Sequence, residues 1–305
     1  MTAKVFQREG QLTMDKAGQQ PEGLTVALGG DYYRVRRGFG SFDCGEALVS
    51  DVACDDEGHV FVLLRTDPAV DTPRDPVVVL AEDGSFMRSF GNGHVADAHM
   101  LAVDGEGNVA VVDRDSHQVL FFDRQGNPTR RIGERNVPNA PFSHPSSVAF
   151  GPDGTFYVAD GYGAQRIHRF APSGHRIGHW GARGDGPGQF TTPHGLWILA
   201  DGRVLVADRE NDRVQVFSPE GTFLDAWRHL PRAMDIWGDG QGHIYVTDQV
   251  PSMSRFDAHG RLTGACRPVL NGAHGIWGDR QGRIYLAEVS PSRITRLEPT
   301  HRVSR

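Results

Sequence analysis

The strongest constraint on the fold is a phrase that the sequence repeats six times. Each copy has a few apolar residues, a turn with glycine, an alternating strand, a polar turn, another strand and a second glycine. Two copies align almost without gaps, PSSVAFGPDGTFYVADGYGAQRIHRFAPSGHRIGHWG and PHGLWILADGRVLVADRENDRVQVFSPEGTFLDAWR. A period of about 40 to 50 residues with this content is typical of propeller blades. The sequence therefore predicts an all-β, six-bladed β-propeller.

The two ends of the chain are expected to close the ring together. The last copy, AHGIWGDRQGRIYLAEVSPSRITRLEP, stops after three strands, whereas YRVRRGFG at positions 33–40 is an isolated fourth strand. Pairing them would remove the exposed edge of an open ring. We expect a flexible N-terminal arm over 1–30, the propeller over 31–299 and a C-terminal tail over 300–305. A β-sandwich is the alternative, but sandwiches do not need a repeated phrase.

Composition limits the partners. The 38 glycines and 18 prolines among 305 residues suit short strands joined by tight turns. A net charge of -6 without a basic block argues against nucleic acid and anionic membranes, and favours a small-molecule or peptide substrate. The first twenty residues lack an apolar signal region, and three cysteines without metal-ligand spacing fit reduced thiols. We expect a cytoplasmic protein and leave its oligomeric state open.

One column of the aligned repeat contains candidate metal ligands. When the copies are aligned on their turn glycines, one residue per copy lies eight places upstream: Ser50, His99, Ser146, His194, Met234 and His274. This position opens the first strand of each blade, which lines the channel of a propeller. The three histidines fall in alternate blades and should converge on the axis. Such a set leaves a tetrahedral zinc one open position, as in catalytic sites. The alternative is that each histidine only hydrogen-bonds to nearby backbone.

A second column lies where the second strand leaves the channel wall. Seven residues after the turn glycine come Arg65, Arg114, Gly161, Arg209, Gln249 and Val289, with Tyr162 next to Gly161. Arginine binds carboxylates in bidentate fashion, so three arginines at one rim predict a carboxylate-bearing substrate. The alternative reading of DRDS and DREN is a polar turn in which aspartate caps backbone amides.

Three strings connect these columns to a known family. DGYGAQRIHRFAPSG, GDGPGQFTTPHGL and VADRENDRVQVF closely resemble the peptidyl-α-hydroxyglycine α-amidating lyases. The similarity covers nearly all of 33–298 and is strongest over 144–217. The resemblance implies a propeller of NHL-type repeats and a zinc-dependent lyase that cleaves a peptidyl α-hydroxyglycine to a peptide amide and glyoxylate.

The resemblance also implies roles for individual residues. It places zinc on His99, His194 and His274, the catalytic tyrosine on Tyr162, and substrate-contacting arginines on Arg65 and Arg209. From its column alone, Arg114 is a further candidate for substrate binding. The inferred mechanism has zinc bind the substrate hydroxyl, Tyr162 act as base, and the arginines orient a carboxylate or carbonyl.

The sequence also departs from the family. The motif at the third histidine usually reads His-Asp, and that aspartate helps to hold a structural calcium with two backbone carbonyls that map to Val52 and Leu101. Here it reads His274-Gly275, which leaves calcium the less favoured expectation. Two other functions stay open: a non-catalytic interaction propeller, and a metal-dependent propeller enzyme acting on a different small molecule.

Overall fold

The fold is a ring of six antiparallel sheets. The computed structural model describes residues 23–67 and 74–300, and the all-β, six-bladed expectation is confirmed. Blades one to three contain the strands Leu48–Cys54, Val60–Arg65, Val77–Leu80 and Phe86–Phe90; Ala98–Val103, Val109–Asp113, Gln118–Phe122 and Pro128–Ile132; and Ser147–Phe150, Phe156–Asp160, Arg166–Phe170 and Arg176–Trp180.

The remaining three blades complete the ring. Their strands are Pro193–Ile198, Val204–Asp208, Arg213–Phe217 and Phe223–Arg228; Ala233–Gly238, His243–Asp248, Met253–Asp257 and Leu262–Cys266; and Ala273–Gly278, Ile284–Glu288, Arg293–Pro299, Asp31–Arg37 and Thr25–Leu28. Between blades three and four, Ala182–Arg183 pairs in parallel with Gln189–Phe190. Within the described residues the helical structure is one 3-10 turn, Arg209–Asn211, and no helix there could span a membrane.

Blade six joins both ends of the propeller. Asp31–Arg37 pairs with Arg293–Pro299 in the register Tyr33↔Pro299 to Arg37↔Thr295, which confirms the expected closure. The boundary of the expected arm differs, because Thr25–Leu28 forms a fifth strand on this blade instead of lying free. Residues 1–22 of that arm and 301–305 of the expected tail lie outside the described residues.

The core lies between neighbouring blades. The inner strands are buried on both faces, as in VFVLLR and VAVVD, since each sheet packs against one blade on either side. The interface of blades one and six, for example, joins Val52 and Val62 to Tyr285 and Ile294. Burial of this continuous apolar surface is the main favourable term for the ring. The histidine column is therefore carried by rigid strands.

The aspartates that end many second strands hold the segments entering the channel. Asp113 accepts hydrogen bonds from the backbone N–H groups of Ala96 and Asp97, at 3.1 and 2.8 Å. Asp160 accepts in the same way from Ser143 and His144, at 2.8 and 2.9 Å. Each aspartate thus fixes the chain two to three residues before the histidine column.

A β-bulge opens the first strand in most blades. The pairing register shifts at Val49/Asp51, Ala98/Leu101, Pro193/Leu196, Ala233/Ile236 and Ala273/Gly275. A bulge adds one residue to one strand and re-aims its side chain. His99, His194 and His274 all lie within such bulges, so an irregularity of the sheet directs them toward the axis.

Candidate metal centre

Three histidines converge at the end of the channel where the first strands begin. One ring nitrogen from each of His99, His194 and His274 lies within 4.8 Å of the others. The ring centroids are 5.1, 5.0 and 4.9 Å apart, and the rings stand nearly edge to face at 69 to 80°. The structure therefore brings the expected histidine column together as a near-equilateral triangle.

The other three members of the column orient the histidines through their backbone. Nδ1 of His99 lies 2.7 Å from the carbonyl oxygen of Ser146, Nδ1 of His194 lies 2.8 Å from that of Met234, and Nδ1 of His274 lies 2.8 Å from that of Ser50. A carbonyl oxygen can only accept, so each Nδ1 carries the proton and each Nε2 keeps its lone pair. This second set of contacts is typical of histidines that bind a metal through Nε2.

Burial keeps the three rings uncharged. It holds the pKa of His194 well below the usual range, with His274 as the next cause, and it does the same for His99. Burial also lowers the pKa of His274 to about 4. Nε2 of the fully buried His194 has no hydrogen-bond partner among the described residues. An orphaned buried acceptor beside two others fits a cation, and three neutral imidazoles with no thiolate fit zinc with an open position.

Tyr162 lies directly against this triangle. Its hydroxyl is 3.1 Å from Nε2 of His99, which can only accept, and 3.1 Å from Nη1 of Arg209, which donates. The preceding Gly161 permits the approach, because a Cβ there would lie 2.0 Å from the carbonyl oxygen of Pro193. The Tyr162 N–H also donates to the carbonyl of His144 at 3.2 Å.

The three arginines of the second column surround the same mouth. Arg114 and Arg209 lie with Cζ 5.2 and 5.4 Å from the centre of the Tyr162 ring. Arg65 lies beside Arg114, since Nε of each is close to the carboxylate of Asp97. In blades three, five and six the same position is occupied by uncharged residues: Gly161, Gln249 and Val289. The mouth is therefore cationic over blades one, two and four.

Asp97 is a site residue that the sequence reasoning missed. Its equivalents two places before the column are Leu48, His144, Thr192, Arg232 and Gly272, so no pattern across the repeat marks it. Only the arrangement of two blades shows that its carboxylate meets arginines from both.

A carboxylate from another blade occupies the place of the aspartate that the family motif uses for calcium. A Cβ on Gly275 would lie 1.8 Å from Oδ1 of Asp51, so the Asp51 carboxylate fills the space of a side chain at that position. Its oxygens accept from the N–H groups of Val52 and Leu101, at 2.8 and 2.9 Å. These N–H groups belong to the residues whose carbonyls would have held calcium.

Comparison with known proteins agrees with this architecture. The NHL repeat model matches residues 142–170 and 190–217. Peptidyl-glycine alpha-amidating monooxygenase A of Xenopus laevis is 36% identical over 164 residues, which is 50% of this chain and 18% of that protein. Probable peptidyl-alpha-hydroxyglycine alpha-amidating lyase pgal-1 of Caenorhabditis elegans is 34% identical over 149 residues, 47% of this chain and 43% of that protein. Each match thus spans less than half the length of the relative.

Solved structures share the fold. A streptogramin B lyase superposes with a TM-score of 0.64 over 88% of this chain and 98% of that chain, at 12% identity, a likeness of fold alone. The repeats, the six-bladed ring and the named relatives support the expectation from the sequence: the chain is an NHL-repeat β-propeller that is similar to the peptidyl-α-hydroxyglycine α-amidating lyases.

Proposed function

We propose that the protein is a zinc-dependent lyase that cleaves the C–N bond of an N-acyl α-hydroxyglycine, giving the primary amide and glyoxylate. The observation that carries this proposal is the contact of the Tyr162 hydroxyl with both Nε2 of His99 and Nη1 of Arg209. These contacts bring together a potential proton acceptor (Tyr162), a candidate metal ligand (His99) and a cation that can bind a carboxylate (Arg209). The relatives named as lyases support the same substrate class.

The three histidines would hold the metal through Nε2. A bound Zn²⁺ supplies Lewis acidity, which makes a nearby hydroxyl easier to deprotonate. Burial keeps the imidazoles neutral, and a backbone carbonyl oxygen fixes the orientation of each ring. The three rings are therefore already oriented for metal binding through Nε2 before an ion binds.

Tyr162 would move the proton. As a phenolate it would accept the proton of the substrate hydroxyl, in a site where Cζ of Arg114 and of Arg209 lie 5.2 and 5.4 Å from its ring centre. The C–O bond becomes a carbonyl as the C–N bond breaks, and the bonding electron pair leaves on the amide nitrogen. Tyr162 then returns the proton to that nitrogen, so the reaction is balanced without an external acid or base.

The arginines would bind the carboxylate that becomes part of glyoxylate. Arg209 reaches the site through a guanidinium whose Nε is paired with Glu210 at 2.9 Å and whose Nη1 contacts Tyr162. Arg65 approaches from blade one. Holding the carboxylate among these two arginines and Arg114 would fix the hydroxyl-bearing carbon beside Tyr162.

Glyoxylate release tests the proposal. Zinc-loaded protein is incubated with N-benzoyl-α-hydroxyglycine, and glyoxylate and benzamide are quantified against spontaneous breakdown; N-benzoylglycine, which lacks the hydroxyl, is the substrate control. We expect equal amounts of both products from the hydroxylated compound alone. Zinc-loaded, folded protein that releases neither product above background would overturn the assignment.

A further inference from the structure

We propose that Asp97 is the positioning residue that aligns Arg65 and Arg114 as a paired carboxylate clamp, an inference that rests on the proposed function for the identity of the bound group. Oδ1 of Asp97 lies 2.6 Å from Nε of Arg65, and Oδ2 lies 2.9 Å from Nε of Arg114. One carboxylate thus joins arginines from two blades at the rim of the channel.

The aspartate is itself rigidly held. Its side chain is 5% exposed. Its N–H donates to Asp113 at 2.8 Å, and its carbonyl oxygen accepts the N–H of Arg114 at 3.0 Å. Asp97 is therefore part of the rigid framework of blade two. It holds Arg65 by a hydrogen bond and attracts Arg114 as an ion pair.

The contacts leave donor groups of both arginines available, most of all on Arg65. Asp97 uses Nε of Arg65, and neither Nη group of Arg65 has a hydrogen-bond partner in the ranges 23–67 and 74–300. Arg114 lies against Asp97 as an ion pair only, and its Nε and Nη2 donate to the exposed Asp115 at 2.8 and 3.1 Å. The three residues also line a groove of about 830 Å³ beside the mouth. A carboxylate entering the groove would meet two pre-aligned guanidinium groups.

The direction of the change in anion affinity when Asp97 is altered distinguishes a positioning role from a purely electrostatic one. If Asp97 only neutralised the charge of the arginines, it would weaken the binding of an anionic ligand, and removing its charge should tighten that binding. If Asp97 positions the arginines, it limits the rotamer freedom of their side chains before the ligand binds, and its removal should weaken ligand binding. Asparagine can accept from one Nε but presents N–H groups to the other, which releases one arginine.

Binding of an inert probe distinguishes these outcomes. The metal-loaded protein is titrated calorimetrically with N-benzoylglycine and with its neutral analogue N-benzoylglycinamide. We expect wild type to prefer the carboxylate, and Asp97→Asn to lose about tenfold in affinity for it with unchanged affinity for the amide. Glu288→Gln is the matched control, since Glu288 is a buried carboxylate 2.8 Å from Nε of Arg293 in blade six, where no arginine occupies the second column.

A second variant keeps the test decisive. Arg65→Lys retains the charge and removes the Nε–H, so it should lower carboxylate selectivity even if Asp97→Asn does not fold. In an Arg65→Ala/Arg114→Ala background, Asp97→Asn should have no further effect on that selectivity.

Three results would overturn the inference: tighter carboxylate binding by Asp97→Asn, an equal loss for both probes, or a wild type that does not prefer the carboxylate. A wild type that shows this selectivity and its dependence on Asp97, but releases no glyoxylate, would support the clamp and remove the proposed reaction.

Discussion

Nδ1 of His274 donates to the carbonyl oxygen of Ser50 at 2.8 Å, joining the last blade to the first. The same contact recurs from His99 to Ser146 and from His194 to Met234. Half of the column supplies imidazoles and the other half supplies the carbonyls that orient them. The candidate metal centre is thus tied to the closure of the ring.

Metal content is the first expectation. Zinc at about one ion per chain should be lost on changing any one of His99, His194 or His274 to alanine, because two imidazoles are a poor zinc site. Elemental analysis of dialysed protein measures it. The control is His175→Ala, which should retain metal. His175 is exposed and lies in the turn between Arg166–Phe170 and Arg176–Trp180 of blade three. Full retention in all three column variants would contradict the assignment.

Chelation should leave the propeller folded. The ring is closed by strand pairing from Tyr33↔Pro299 to Arg37↔Thr295, which does not involve the metal. Metal-stripped protein should therefore keep its far-UV circular dichroism while losing activity. Cooperative unfolding on addition of chelator would instead identify a structural ion.

Tyr162→Phe should preserve metal content and lower kcat by about 10² to 10⁴, because it removes only the proton-transferring hydroxyl. Arg209→Ala should raise KM for substrates with a carboxylate and also lower kcat, since Arg209 holds the Tyr162 hydroxyl at 3.1 Å. Steady-state kinetics at matched zinc occupancy separates the two effects. Equal kcat in wild type and Tyr162→Phe would exclude the tyrosine from proton transfer.

Gly275 should be intolerant of any side chain. A Cβ there would lie 1.8 Å from Oδ1 of the buried Asp51, so Gly275→Ala should destabilise the protein by about 1 to 3 kcal/mol, and Gly275→Asp by more because it would bury a larger, polar side chain against Asp51. Gly240→Ala is the control, as nothing lies within 4 Å of a Cβ at that turn. Urea denaturation measures the difference. Stability gained by Gly275→Asp on adding calcium would show that Asp51 can move aside.

Asp235 should make a pH-dependent contribution to stability. Burial raises its pKa from 3.8 to about 7, and burial together with Asp235 raises the pKa of Asp51, so this pair of carboxyls retains protons in the folded state that the unfolded state releases. The stabilisation from Asp235 is then complete below pH 4 and is lost as the pH rises to about 7. Asp235→Asn, which does not titrate, should therefore cost more stability at pH 5 than at pH 8. Urea denaturation at both values tests this; an equal cost at each would contradict the raised pKa.

The sequence by itself determined the ring and the positions of its columns. Strand alternation, turn glycines and the repeat period are local or periodic signals, and alignment on Gly107, Gly202 and Gly282 was enough to bring His99, His194 and His274 into one position. The strand at 33–40 was recognisable because the last copy lacked one. These features could be predicted because each blade repeats the same local chemistry.

Tertiary structure decided the details that depend on contacts between blades. The bulges that aim the histidines, the carbonyl partners at Ser50, Ser146 and Met234, and the meeting of two arginines on Asp97 leave no mark in the repeat. The pairing of Thr25–Leu28 was missed for a similar reason, as a short edge strand carries little pattern of its own. Such contacts join residues tens to hundreds of positions apart, and only the closed ring fixes their distances.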